Sequence, residues 1–318
     1  MRCELESVHQ DDSSPSSKLA GIAPPLGSLP APAGATLRTI RLTGLLTRSP
    51  RLARASLLVA AVSFGPPPVP DAPLPRDPAA VAIALARTRS DLQAAIGRWT
   101  PKSAVPPREV VLYALYEQRI YRLLARDKKL ARVTLSSLAP RLRAATRDLL
   151  VAHRELYRLT PPLPSHTSIK VGRAAPAATL LAYYREAGEQ FHVPWDVLAS
   201  VNFVESKFGK LRNASAAGAQ GPMQFMPATW REYGLGGNVH DAHDAILGAA
   251  NYLHASGAPR NVRRALHAYN PSPVYVDAVL RYARRLRADR TTFFELYNWQ
   301  VFVKTARGDR RVTGPGLP

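Results

Sequence analysis

In the run NFVESKFG, Asn202 to Gly209, Glu205 is the one acid among helix-spaced positions that are otherwise apolar. Pro194 at a first helical position, Asp196 in the first turn and Gly209 as a stop predict one helix of about four turns from Val193 to Phe208. Val197, Val201, Val204 and Phe208 follow at steps of four, three and four and form a single apolar face. Glu205 lies four past Val201 and three before Phe208, so it points into that face or its edge. A carboxylic acid in such surroundings is disfavoured as the anion, and its pKa rises toward the range where it donates a proton near neutral pH. That is the profile of a general acid. A glutamate at the core edge, neutralised by a neighbouring arginine, fits the helix alone as well.

Downstream, SAAGAQGPMQFMPATW (215–230) combines groups suited to holding a ligand. Gly218 and Gly221 predict backbone that passes close to another group. Gln224 offers an amide donor and an acceptor, flanked by Met223 and Met226, which adapt to irregular apolar shapes. A loop with core filler is the plainer reading. A second carboxylate in a comparable apolar setting does not stand out. Asp241 and Asp244 are spaced as a capping box before AILGAANYL, and Asp277 is predicted to pair with Arg281 four residues on. His240 and His243, three apart in a helix-start turn, do not make a metal-ligand spacing with other histidines, and the only cysteine is Cys3. No cofactor is expected.

The ordered set ESKFG, Ser215 with GAQGPMQFMPATW, DAILGAANYL (244–253) and ALHAYNPSPVYVDAVLRY (265–282) resembles the soluble lytic transglycosylase domain, over roughly residues 180–287. The resemblance implies a lysozyme-like fold that cuts peptidoglycan. It implies Glu205 as the sole catalytic acid/base, followed by Ser206 as a substrate-binding residue; Ser215, Met223 and Gln224 as groups lining the cleft and holding the N-acetyl sugar; and Tyr269 with Asn270 as the pair beside the acid. The sequence departs from the family pattern at Pro222, where a leucine is usual, and at PSP (271–273), where Ala-Gly is common; the latter predicts a stiffer loop beyond Asn270. A single carboxylate fits a scheme in which the substrate supplies its own nucleophile, as among the exceptions to the two-carboxylate rule. A goose-type lysozyme, with Asp241 or Asp244 positioning water, is the alternative on the same fold. A non-catalytic binder of wall glycan is a third reading.

The elements that must position these groups are helical. Val81, Leu85, Thr88, Leu92, Ala95 and Trp99 predict one helix; Leu112, Tyr116, Ile120, Leu123 and Leu124 a second, ending near Asp127; and Leu135, Leu138, Leu142, Ala145, Leu149, Ala152 and Leu156 a third. Each has one apolar stripe, so a small antiparallel bundle is the economical way to bury them. The fold class is therefore mainly α: an N-terminal helical bundle over 79–160, a linker over 161–178, the lysozyme-like domain over 179–288, and a C-terminal hairpin and tail over 289–318. The hairpin rests on the alternation of Trp299, Val301 and Val303 before the turn ARGD; its aromatics could stack on sugar rings or seal the domain end.

The chain has 318 residues and a formal charge of +20. Residues 79–165 carry 16 Lys/Arg against 6 Asp/Glu, a net of +10, which predicts an acidic partner. Anionic cell-wall polymers meeting the basic helices are the partner expected beside peptidoglycan glycan strands. Nucleic acid is not expected, because aromatics do not interleave with the basic residues. Residues 1–54 read as a disordered leader. Residues 55–65, ASLLVAAVSFG, follow Arg48, Arg51 and Arg54 and carry Ala61-Val62-Ser63 as a cleavage candidate, the pattern of a secretory signal. A Pro-rich linker over 66–78 follows. The expected location is secreted, in the cell wall or periplasm.

Overall fold

The computed structural model describes residues 65–99, 105–164 and 167–317. The leader 1–54 and the export-like segment, apart from Gly65, lie outside them.

Four helices come first: α1 (Pro78–Arg98), α2 (Arg108–Arg126), α3 (Lys128–Ser136) and α4 (Pro140–Leu159). α1 starts where Asp77 accepts a hydrogen bond from Ala80 N at 2.9 Å and Pro78 supplies a preset φ. Its stripe Val81, Leu85, Leu92 and Ala95 is fully buried. The third predicted helix is two helices, and the reason is Pro140. Proline has no N–H to donate and restricts the residue before it, so Ala139 takes φ −56°, ψ 147°, α3 ends at Ser136, and the chain restarts with Pro140 as the first residue of α4. Leu135 and Leu138 keep the apolar spacing across this break without sharing a helix with Leu142. The basic run 126–132 crosses from the end of α2 into α3, where Asp127 caps α3 by accepting from Leu130 N at 2.8 Å.

The second set is α5 (Ala177–Phe191), α6 (Trp195–Ser206), α7 (Pro227–Tyr233), α8 (Ala242–Ala255), α9 (Val262–Tyr269), α10 (Pro273–Ala288) and α11 (Thr291–Asn298). A two-stranded antiparallel hairpin closes the chain, β1 (Phe302–Thr305) and β2 (Gly308–Arg311), with Phe302 opposite Arg311 and Thr305 opposite Gly308. The strand begins three residues later than the alternation from Trp299 suggests. Trp299 itself is 2% exposed and packs on Tyr121 and Phe203; here the aromatic seals.

The helices share one hydrophobic cluster within a single compact unit. α4 lies against α10, and α10 against α6, so the basic helices back the helix that carries Glu205. Asp148 on α4 faces three arginines of α10, Arg281 at 3.2 Å, Arg284 at 3.4 Å and Arg285 at 3.9 Å. Arg281 is thereby taken from the pairing predicted with Asp277, which meets Arg263 at 2.6 Å instead. Inside, Arg89 of α1 bridges Glu117 of α2 (3.3 Å) and Glu295 of α11 (3.1 Å). Burial pushes both carboxyls up and Arg89 pulls them back, an arrangement that fixes how the three helices meet and that leaves two buried carboxyls without their cation if Arg89 is removed. The Pro-rich stretch runs along α2, where Arg119 donates to Pro70 O at 3.1 Å and Ala72 O at 2.7 Å.

Candidate active site

α6 is shorter than its apolar period suggests. Pro194 is the N-cap rather than the first helical residue, and the helix stops at Ser206 because Lys207, Phe208 and Gly209 all take left-handed φ, at 55°, 62° and 79°. Two of the three are not glycine and are strained there. The turn is held by Lys207 N to Phe203 O (3.1 Å), Phe208 N to Asn202 O (3.3 Å) and Gly209 N to Ser206 Oγ (2.8 Å), while Phe208 packs on Phe203 and Phe293. Glu205 therefore sits in the last helical turn, half-buried, with its carboxyl at the helix exit.

Burial raises the Glu205 pKa from its ordinary 4.5 to about 7, against the opposing pull of the Tyr275 hydroxyl and the Lys207 ammonium. The Tyr275 hydroxyl donates to Glu205 Oε1 at 2.6 Å. The carboxyl can thus hold a proton near neutrality and also survive as an anion, both of which acid/base work needs. Tyr275, 4% exposed, went unnoticed in the sequence. Its signal was Ser272-Pro273: Ser272 caps α10 by accepting from Tyr275 N at 3.3 Å and Pro273 is the first helical residue, so PSP opens a helix rather than stiffening a loop.

The loop after α6 is tied down at several points. Ser206, 1% exposed, donates from Oγ to Pro222 O at 2.5 Å while accepting from Gly209 N. Ser206 thus bonds inside the protein, tying the exit of α6 to the loop at Pro222. Met223 is fully buried, its sulfur receiving Asn202 Nδ2 at 3.0 Å, and its carbonyl accepts the Tyr269 hydroxyl at 2.6 Å. Its side chain is core, and its backbone is what joins α9 to the loop. Gln224 takes φ 52° and donates from Nε2 to Gly221 O at 2.9 Å and Asn213 O at 3.4 Å. A Cβ on Gly221, at φ 72°, would lie 1.8 Å from Val239 O, the close approach the sequence suggested; at Gly218, φ 89° with open space around it, conformation alone asks for glycine. Ser215 is exposed in a turn, where its Oγ accepts from Ala219 N at 3.0 Å. Asn270 caps the end of α9, and its carbonyl accepts from Ser272 N at 2.7 Å.

Four other acids of this region have structural partners. Asp241 caps α8 by accepting from His243 N and Asp244 N, and Asp244 Oδ2 accepts from Asn238 N at 2.8 Å. Asp196 meets Arg287 at 2.9 Å. Glu186 meets His243 Nε2 at 3.0 Å. Among the described residues no three His, Cys, Asp or Glu side chains converge as metal ligands, and no helix is long and apolar enough to cross a membrane.

Residues 182–291, from α5 to the start of α11, match the family model described as the Transglycosylase SLT domain. No solved structure is matched by the chain.

Proposed function

With a lysozyme-like SLT transglycosylase domain over residues 182–291, a module that cleaves peptidoglycan glycan, we propose that the protein is an exported lytic transglycosylase. It cuts the β-1,4 bond between N-acetylmuramic acid and N-acetylglucosamine and leaves a 1,6-anhydromuramoyl end. The observation that carries this reading is a single half-buried carboxyl, Glu205, raised to about 7 and tethered by Tyr275, while the nearby acids Asp241 and Asp244 are used as caps.

In the first half of the reaction the Glu205 carboxyl gives its proton to the glycosidic oxygen as the bond from C1 of the muramoyl ring breaks. The muramoyl N-acetyl carbonyl, held beside Gln224, stabilises the cationic sugar. In the second half the Glu205 carboxylate takes the proton of the muramoyl 6-hydroxyl, whose oxygen bonds to C1. The proton count closes and no water is consumed. Rate enhancement then rests on holding the 6-hydroxyl and C1 together and on a carboxyl whose pKa lies near working pH. Ser215 and Asn270 contribute sugar contacts, and Tyr269 and the Met223 backbone set the wall of the cleft. Export rests on the basic and apolar pattern before Pro66.

Mass spectrometry of fragments released from purified peptidoglycan tests this. Ends lighter than reducing ends by one water are expected, and Glu205→Gln should fold normally and release none. Ordinary reducing ends would assign a goose-type lysozyme instead and return attention to Asp241 and Asp244.

A further inference from the structure

α3 and α4 enclose a groove of about 400 Å³ whose walls carry Lys128, Arg132, Arg143, Arg147 and Arg154 and no carboxylate. Arg143, Arg147 and Arg154 follow at steps of four and seven along α4, so they share one face for about 16 Å of helix. Two of them are fixed in place. Arg143 donates to Ser136 O at 2.9 Å and Leu138 O at 2.8 Å, and Arg154 to Leu124 O at 3.1 Å and Ala125 O at 3.2 Å. Carbonyl partners orient a guanidinium without cancelling its charge. Lys128, Arg132 and Arg147 stand exposed.

The track does not end there. Lys128 and Arg154 also line an adjoining concavity of about 840 Å³, to which Arg76, Arg119, Arg126 and Arg158 contribute. The two carboxylates of that concavity are already engaged, Asp127 as the cap of α3 and Asp309 with Arg122 and Arg126. Unlike-charge pairing within the protein therefore leaves a surplus of positive charge along one continuous surface.

We propose that this track binds a linear phosphodiester polymer of the cell wall, with one anion on every repeat. The proposal uses the transglycosylase reading only for where such a polymer is met. Four of the five groove cations are arginine, whose planar fork matches phosphate oxygens two at a time. The α3–α4 groove holds no aromatic side chain, and the two aromatics of the adjoining concavity already stack with the protein's own cations, Phe302 with Arg122 at 4.1 Å and Tyr157 with Lys304 at 4.6 Å, so the track lacks the free stacking platform of a single-strand nucleic-acid site. Of the groove's apolar lining Ala131 and Leu150 are buried and Leu135 and Val151 half-buried, so it presents little apolar surface to enter a bilayer interface.

The test is binding of the full chain to purified poly(glycerol phosphate) as salt is raised, beside the variant Lys128→Gln/Arg132→Gln/Arg147→Gln. Each lost phosphate contact lowers the slope of log K against log salt by about 0.7 to 0.9, so three should lower it by roughly 2 to 3 and weaken binding at least tenfold at low salt. Turnover of a short glycan of alternating N-acetylmuramic acid and N-acetylglucosamine, which carries no phosphate, should be equal in the two proteins, which separates this proposal from the transglycosylase reading. A triple variant that binds as the parent does overturns it. So does tighter binding, at equal phosphate, to duplex DNA or to anionic vesicles.

Discussion

Replacing Tyr275 with phenylalanine removes one oxygen from a buried ring and leaves its packing in place. The hydroxyl donates to Glu205 Oε1 at 2.6 Å, and a hydrogen bond to a charged group contributes about 1.5–3 kcal/mol. At 1.36 kcal/mol per pKa unit, losing it raises Glu205 by roughly one to two units. The carboxyl at about 7 should then titrate near 8 to 9, by the same conversion. A general acid works only while protonated, so the limb of kcat/KM that falls with rising pH should move up by that amount in Tyr275→Phe. The plateau should drop roughly tenfold to a hundredfold as the carboxyl loses its tether. Stability carries the same signature with a fixed sign. Between 4.5 and about 7 the native state holds a proton the unfolded chain has released, so stability falls as pH rises through that window. The contribution is complete below 4.5 and gone above the folded pKa. The variant should extend the decline to higher pH, and Glu205→Gln should abolish it. Pairing pH–rate profiles with urea midpoints reads both. A limb that stays put or moves to lower pH would refute the idea that Tyr275 favours the anion.

Ser206→Ala strips the partner from Pro222 O and Gly209 N at once; a loss of about 1–3 kcal/mol per stranded group is expected in urea unfolding, and an unshifted midpoint would show that the loop does not need this tie. Gly221→Ala meets both Val239 O and a left-handed backbone, whereas Gly218→Ala meets only the backbone, so the first should be far more damaging than the second, which should cost about 1–2 kcal/mol; equal losses would contradict the close approach. Asp241→Ala should cost about 1 kcal/mol as a lost helix cap with turnover kept, and a collapse of turnover would favour water activation by that carboxylate.

Glu205 was legible because its setting is local: one acid inside an apolar period can be read from sixteen consecutive residues. Tyr275 was not, because a carboxyl in such a place demands a donor but the demand does not say which residue, seventy positions away, supplies it. The sense of PSP turned on the same point, since Ser-Pro serves a stiff loop and a helix start alike until the following turn is seen. The break before α4 was legible in principle, as proline forbids what the leucine spacing invites, but the spacing from Leu135 through Leu142 keeps phase across the gap and hides it. Asp277 shows the limit of helix rules. They name partners on the same helix, and the arginine it meets is on α9, while Arg281 is drawn to Asp148 on α4. The motif resemblance implies Met223 and Ser206 as cleft groups, but a motif does not say whether a side chain faces outward, and both are buried and bonded within the protein.

The seating of α4 on α10 bears on how such proteins are inherited. A recombination event that copied only residues 182–291 would deliver α10 with Arg281, Arg284 and Arg285 crowded together without Asp148, and with an apolar flank turned to water. The stretch that reads as a portable module in a genome is here one side of a joint, and its neighbour cannot be traded for an unrelated domain unless the replacement brings an acid and a matching apolar stripe. The two parts should accordingly drift together, changes on one face of the joint answered on the other, and lineages that shed the first four helices should show α10 rewritten with fewer arginines.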